Sequence, residues 1–331
     1  MPDIITTGEM LIDFTPVKAE GFPGAVCPNP GGAPGNVAVQ LARLGVSAGF
    51  IGKVGSDSFG KDLRRCLEEN GFDTHNLIDD PLFRTTLAFV HLSETGDRSF
   101  TFYRNPGADT QLRGEEIDLA SVEACQALHF GSLSLTTEPG RTTTLELVKK
   151  ARAMGKMISY DPNWRPPLWP SEEAGVAGMR EGLALCHLLK ISEEELALLT
   201  GTDSLAQGVA QLHKLGIVLV MVTLGPAGCV SSHQGQLSHH PTFDTKVIDT
   251  TGSGDSFWGA FLSQLVQNGF DTPDKLQELE QTRLAEFCRF ANAAGSICAT
   301  RPGGIPALAD REAILACMQD YPLLETCFKI K

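Results

Sequence analysis

No stretch of the 331-residue chain approaches the ~18 uncharged apolar residues of a membrane-spanning helix. The opening residues Met1-Pro2-Asp3-Ile4 carry neither the basic start nor the apolar core of a signal peptide. A cytoplasmic enzyme is the expectation. Blocks of about five or six like charges are also missing, and the net charge is −13. So acidic a surface argues against a dedicated nucleic-acid or anionic-membrane partner. It does not exclude a phosphate-bearing ligand, which needs only a local pocket of N–H groups, a few cations and a metal.

The nine cysteines never form a C-x-x-C pair, and the eight histidines never form H-E-x-x-H. Most cysteines stand among apolar neighbours, as in Leu185-Cys186-His187-Leu188. Reduced, buried thiols are expected rather than zinc or disulfides. His239-His240 reads as a surface pair rather than a metal site. Long linkers and internal repeats are absent as well. What is present is ordinary for a globular chain with a sizeable core: 42% hydrophobic and 20% charged residues.

Short apolar runs alternate with amphipathic stretches, the pattern of an α/β fold with a mostly parallel sheet flanked by helices. Strands are expected at Ala48–Gly52, Ala127–Gly131, Met157–Asp161, Cys186–Ile191 and Ile217–Leu224. Helical periods cover Asn36–Leu44, Phe59–Asn70, Arg141–Met154 and Asp255–Asn268. Gly45, Gly71, Gly155 and Gly269 follow them, where a left-handed residue closes a helix. Two stretches break this rhythm. Glu9–Phe14 with the Pro/Gly-rich segment to Pro30, and Thr85–Tyr103, read as strands without helices between them. A hairpin turning at Thr95-Gly96-Asp97 is expected in the second. The expected organisation is one core domain over residues 1–331, with lid strands approximately within 9–30 and 85–108.

The strongest chemical signal is Asp249-Thr250-Thr251-Gly252-Ser253-Gly254-Asp255, running into an amphipathic helix. A glycine-rich turn ahead of a helix presents unpaired backbone N–H groups with the positive end of the helix dipole behind them. That is an anion cradle. A carboxylate beside it is suited to accept a proton from a nucleophile attacking a phosphate. The bland alternative is that Asp255 merely caps its helix, as Asp often does. A second signal, Gly31-Gly32-Ala33-Pro34-Gly35-Asn36-Val37-Ala38, also opens a helix. Its glycines permit close approach of backbone to ligand, and Asn36 offers both a donor and an acceptor to a hydroxyl. Gly55 to Lys61 matches the start of a P-loop, but Asp62 occupies the Ser/Thr position that binds magnesium. A helix-start turn explains it better.

The two glycine segments, in this order, resemble the paired signatures of ribokinase-like (phosphofructokinase-B) carbohydrate kinases, and fructokinases most closely. G-G-x-x-x-N-x-A is met at Gly31 to Ala38, and D-T-x-G-x-G-D at Asp249 to Asp255. Gly8 to Asp13 looks like the family's first strand, Gly52 to Gly60 like its V-G-x-D-x-x-G turn, and Thr223 to Gly228 like its T-L-G-x-x-G nucleotide segment. The resemblance implies a ribokinase-like fold with a small β-sheet lid, and ATP-dependent phosphorylation of a sugar hydroxyl. Asp255 would be the base, with Gly252, Ser253 and Gly254 supplying N–H groups and Arg165 assisting transfer. Asp13, Gly31, Gly32, Asn36, Phe102 and Arg104 would bind the sugar. Lys190, Ser192, Thr223, Gly225, Gly228, Gly252, Gly254 and Asn292 would bind ATP. Ser192-Glu193-Glu194-Glu195 replaces the Asn of the family's N-x-x-E magnesium motif by Ser, and Glu195 matches its Glu. Asp249, Thr251, Cys298 and Gly303 match the surroundings of a potassium ion. ATP, Mg2+ and K+ are thus the implied cofactors, and a homodimer through the lid the implied assembly.

The acceptor is less defined. Arg98 to Asp109 and Tyr160 to Arg165 resemble segments of fructokinases, of 2-keto-3-deoxygluconate kinases and of aminoimidazole riboside kinases. Phe100 and Phe102 either wall the sugar or fill core. Arg104 and Arg165 either serve the phosphoryl group or clamp a carboxylate. Fructose, phosphorylated to fructose 6-phosphate, is the leading expectation. 2-Keto-3-deoxygluconate or a nucleoside is the alternative, and a non-catalytic sugar sensor a remote one.

Overall fold

Alternate residues of one strand point to opposite faces of a sheet, and here both faces are buried. Ile4, Ala127, Met157, Leu188 and Leu219 belong to one apolar core; their chain neighbours Ile5, Leu128, Ile158, Leu189 and Val220 belong to another. A sheet covered by helices on both sides explains why its strands read as continuous apolar runs.

The computed structural model describes residues 2–17, 22, 24–92, 98–326 and 328–330. Its strands are β1 Ile4–Thr7, β2 Leu11–Pro16, β3 Val26–Gly31, β4 Ala48–Gly55, β5 Leu77–Asp80, β6 Leu87–Leu92 and β7 Arg98–Tyr103. They continue with β8 Ala127–Gly131, β9 Met157–Asp161, β10 Leu188–Ser192, β11 Leu219–Thr223, β12 Cys229–His233 and β13 Gln236–His240. The large sheet has the order β13-β12-β11-β10-β9-β8-β1-β4-β5. From β5 to β11 every pairing is parallel; β12 and β13 add an antiparallel edge. Helices Ala33–Arg43, Ser253–Gln267 and Gln281–Cys298 cover one face, and Gly140–Ala153, Glu172–Leu183 and Leu205–His213 the other. Trp258 lies at the heart of the first layer, fully buried, with its indole N–H donating to Ser159 Oγ at 2.9 Å. The four glycines expected to close helices all have positive φ, between 77° and 83°. No helix among the described residues is long and apolar enough to cross a membrane.

The helix-free stretches form a separate four-stranded sheet, β3-β2-β6-β7. β6 and β7 pair antiparallel as the hairpin requires, though the turn at Thr95-Gly96-Asp97 lies outside the described residues. Phe14, Phe89 and Tyr103 meet on one face of this sheet, while Phe100 and Phe102 stack on the other.

Two sequence expectations need adjustment, and a third is met. His239 and His240 are half-buried rather than a free surface pair: they end edge strand β13, with His239 Nε2 on the Ala227 carbonyl and His240 Nε2 on Ser231 Oγ. The helix-start turn expected at Gly55 to Lys61 is the one met: Asp57 caps Ser58–Glu69 by accepting from Gly60 N–H. Of the cysteines, Cys125, Cys186, Cys229, Cys288, Cys298 and Cys317 are buried free thiols, but Cys27 is exposed and Cys66 half-buried; Cys327 lies outside the described residues.

Candidate active site

Helix Ser253–Gln267 begins at Gly252, whose φ of 74° lets the chain turn sharply into the helix; no side chain caps this end. An uncapped helix start inside a cavity is an anion site by construction. Asp255 stands one turn in. Its Oδ2 accepts a 2.7 Å hydrogen bond from Asn36 Nδ2, which comes from the start of helix Ala33–Arg43. The two glycine signatures are therefore brought into direct contact. Ser253 departs from expectation: its N–H is turned to the Thr250 carbonyl at 3.2 Å, not held out for a ligand.

Around this contact lies a cavity of about 300 Å3, lined among others by Asp13, Gly32, Asn36, Phe102, Arg165, Lys190 and Asp255. Asn36 Oδ1 is buried without a partner, which fits a donor hydroxyl arriving from a ligand. Burial pushes the Asp13 carboxyl up to about 7; Asp255 and Asp249 add to this against the pull of Arg165. The Arg165 guanidinium lies over the Phe100 ring at 5.1 Å. Lys190, expected with the nucleotide, lines this cavity instead. It donates to Asp161 Oδ2 at 2.6 Å, and Gly254 is close enough that a Cβ there would stand 3.1 Å from its ammonium. Burial works against the Lys190 charge, but Asp161, Asp255 and Glu195 outweigh it and raise its pKa.

A second cavity, of about 480 Å3, is lined by Thr223, Gly225, Gly228 and Asn292, and shares Thr250 and Gly254 with the first. Asn292 does not hold out its amide nitrogen; this donates to the carbonyls of His240 and Pro241 at 3.0 and 3.2 Å. The residues expected around potassium also converge. Asp249 accepts from the N–H of Thr251 and of Gly303, both at 2.8 Å, and Cys298 Sγ donates to the Thr251 carbonyl. Thr251 Oγ1 is buried without a partner, an oxygen whose chemistry fits a cation.

Four expected residues are placed differently. Gly31 does not line the cavity; it backs onto Asp13, whose Oδ2 would be 2.1 Å from any Cβ at that position. Arg104 lies behind the wall. It is clamped by Asp109 at 2.6 Å, by Thr136 Oγ1 and by the Leu133 carbonyl, so its donors are committed to protein. Ser192 and Glu195 line neither cavity. They form a reciprocal cap of helix Glu193–Thr200, and the other Glu195 oxygen accepts from Trp164 N–H at 2.6 Å. Both oxygens of Glu195 thus accept from backbone N–H groups, and its side chain lines neither cavity. Sequence reasoning missed Glu9 and Asp161. Glu9 lines the first cavity, accepts from Ala33 N–H at 3.0 Å and is pushed up to about 7, chiefly by burial. A carboxylate at the edge of the apolar run Met10-Leu11-Ile12 was the available signal.

A glycine turn on an uncapped helix start, a carboxylate held beside it and two cavities meeting there make the site of a nucleotide-dependent phosphotransferase with an alcohol acceptor. The model for the pfkB family carbohydrate kinases matches residues 1–311, and the chain belongs to that family. It is 41% identical to fructokinase-1 of Oryza sativa subsp. japonica over 96% of this chain and 97% of that one. Among solved structures it resembles a fructokinase from Xylella fastidiosa with bound ATP, at 34% identity and a TM-score of 0.89, covering 97% and 99% of the two chains. It also resembles a double-mutant fructokinase from Vibrio cholerae O395 bound to fructose, ADP and potassium, at 32% identity and a TM-score of 0.85, covering 96% and 98%.

Proposed function

We propose that the protein transfers the γ-phosphoryl group of ATP to D-fructose, giving fructose 6-phosphate. The observation that carries this reading is the Asn36–Asp255 hydrogen bond at the junction of a polar and a largely apolar cavity. Fructose occupies the polar cavity, with Asp13 and Asn36 on its hydroxyls and Phe102 as a wall. Asp255 takes the proton of the attacking hydroxyl, and Asn36 fixes which oxygen is presented to it. Backbone N–H groups at Gly252 and Gly254, with Lys190 beside them and Arg165 nearby, stabilise the charge that develops in transfer. The nucleotide lies against Thr223, Gly225, Gly228 and Asn292. Magnesium arrives with it, held mainly by phosphates and water. Potassium, at Asp249, Thr251, Cys298 and Gly303, would steady the turn leading into the cradle. The small sheet serves as lid and, through its exposed aromatic face, as the contact of a cytoplasmic homodimer; Tyr103 there is 64% exposed.

The choice of a neutral sugar rests on the arginines. With Arg104 committed to Asp109, Arg165 is the one guanidinium lining the cavity among the described residues. A carboxylate-bearing acceptor would have one cation to meet it there from arginine, where the sequence suggested two. The test is a coupled assay of ADP release with fructose, ribose, 2-keto-3-deoxygluconate and aminoimidazole riboside. Fructose should exceed 2-keto-3-deoxygluconate in kcat/KM by about tenfold or more, and Arg165→Ala should lower kcat more than it raises the KM for fructose. A faster reaction with 2-keto-3-deoxygluconate, and an Arg165→Ala variant failing in KM for it, would overturn the fructose assignment.

A further inference from the structure

The carboxy-terminal segment after helix Arg311–Asp320 lies past the stretch that the family match covers. It runs along the second cavity. Asp244 N–H donates to the Pro322 carbonyl at 2.9 Å, and Leu324 N–H donates to the Thr242 carbonyl at 2.8 Å, around an antiparallel bridge between Phe243 and Leu323. Leu324 itself lines the cavity, beside Thr242, Phe243, Asp244 and Thr245.

Farther on, Phe328 packs against the His239 ring, with centroids 4.9 Å apart. His239 is bonded through Nε2 to the carbonyl of Ala227, inside the glycine turn Gly225–Gly228 that forms the other rim. The segment is therefore fastened to both rims of the cavity: by two backbone hydrogen bonds at 242–244, and by an aromatic contact at the glycine turn. Two backbone hydrogen bonds by themselves are a weak fastening. A segment so held at a cavity mouth gains contacts when a ligand fills the space beneath it.

Building on the nucleotide reading of this cavity, we propose that residues 321–326 and 328–330 are a strap forming its outer wall. Leu324 is a contact of the nucleoside part of ATP, and Phe328 is the anchor that keeps Leu324 in place. The chemistry is that of a base plane against apolar side chains; Val247, 60% exposed at the same cavity, is a second such surface. Phosphate binding stays with the helix start and does not depend on the strap. Phe328 acts through Leu324 and is a positioning residue.

The experiment uses full-length wild-type protein, Leu324→Ser and Phe328→Ala. ADP affinity is measured by calorimetry, with KM for ATP and for the acceptor from steady-state rates. Leu324 is only half-buried, so its substitution leaves the cores intact, and thermal unfolding of each variant checks this. Leu324→Ser should weaken ADP binding by about five- to tenfold, while kcat and the acceptor KM stay within about twofold. Phe328→Ala should move the same quantities in the same direction by about threefold, and Phe328→Leu should recover most of that loss. In the wild type, ADP should slow hydrogen exchange at the amides of Asp244 and Leu324. Should the wild type bind no ADP, the nucleotide reading fails and the strap with it. Tight ADP binding by the wild type, unchanged in Leu324→Ser and Phe328→Ala, would overturn the strap alone. Equal losses in nucleotide and acceptor KM would also overturn it, since they would mark a general structural role.

Discussion

The two cavities meet at Gly254 yet are built from opposite materials. The smaller one has five titratable side chains on its wall: Glu9, Asp13, Arg165, Lys190 and Asp255. Among the described residues lining the larger one, Asp244 alone is titratable, and Phe243, Val247, Phe257 and Leu324 supply apolar surface. Buried charge is costly unless it is paired or used, so its concentration on one side supports the proposed place of proton transfer. The other side, as the proposed nucleotide site, would need no charges of its own, because a nucleotide brings phosphates and metal with it. Packing and backbone shape suffice to hold the remainder. Electrostatic substitutions should therefore act on the acceptor side, and apolar ones on the nucleotide side.

The largest expected effect comes from behind the acceptor wall. Arg104→Ala would leave Asp109 as a buried, unpaired carboxylate and release the Leu133 carbonyl, part of a residue that lines the smaller cavity. Stability should fall by about 3–5 kcal/mol, read from denaturant unfolding. An unchanged midpoint would mean that Arg104 is not the clamp its contacts describe.

Asp255→Asn comes next and separates the two sides directly. It should lower kcat by roughly 10²-fold or more while ADP affinity stays within about twofold. More than about a third of wild-type kcat in this variant would remove Asp255 as the base.

The smallest effect is a pH dependence confined to the acceptor side. Asp13 is pushed up to about 7 by burial, so folding raises it above the usual carboxylate range. A raised carboxyl favours the folded state at low pH, and that contribution is lost as pH climbs from about 4 through about 7. Asp13→Asn cannot acquire the penalising charge. The Tm of the variant minus that of the wild type should therefore grow by roughly 2 °C or more between about pH 5 and about pH 8. A flat difference would show that Asp13 titrates as an ordinary surface acid.

Much of the fold was legible because its signals are local. The strands Ala127–Gly131 and Met157–Asp161 are apolar throughout, as strands with two covered faces must be, and they fall at the expected bounds. The edge hairpin β12–β13 was missed because its turn is Gln234-Gly235, with φ of 53° and 75°, in place of the Asn-Gly that announces such a turn. Within the site, Ser192 to Glu195 carried two readings at once. S-x-x-E is a capping box as well as a variant metal motif, and the structure builds the cap. Arg104 had Asp109 five residues on, but pairing across that loop depends on how the loop closes.

The sequence by itself determined the alternation of core strands with helices, the family and the two glycine-led helix starts, because each is written in neighbouring residues that constrain their own backbone. Only the tertiary structure decided which of those residues meet. Asn36 and Asp255 are 219 positions apart and share a 2.7 Å hydrogen bond; Gly254 lies against Lys190; Arg104 is turned away from the cavity that its motif suggested. The shifted carboxyls of Glu9 and Asp13 belong to the same class, since burial is the largest cause of both. Burial is a property of the closed molecule, set by every layer packed around a group and by no short run of sequence.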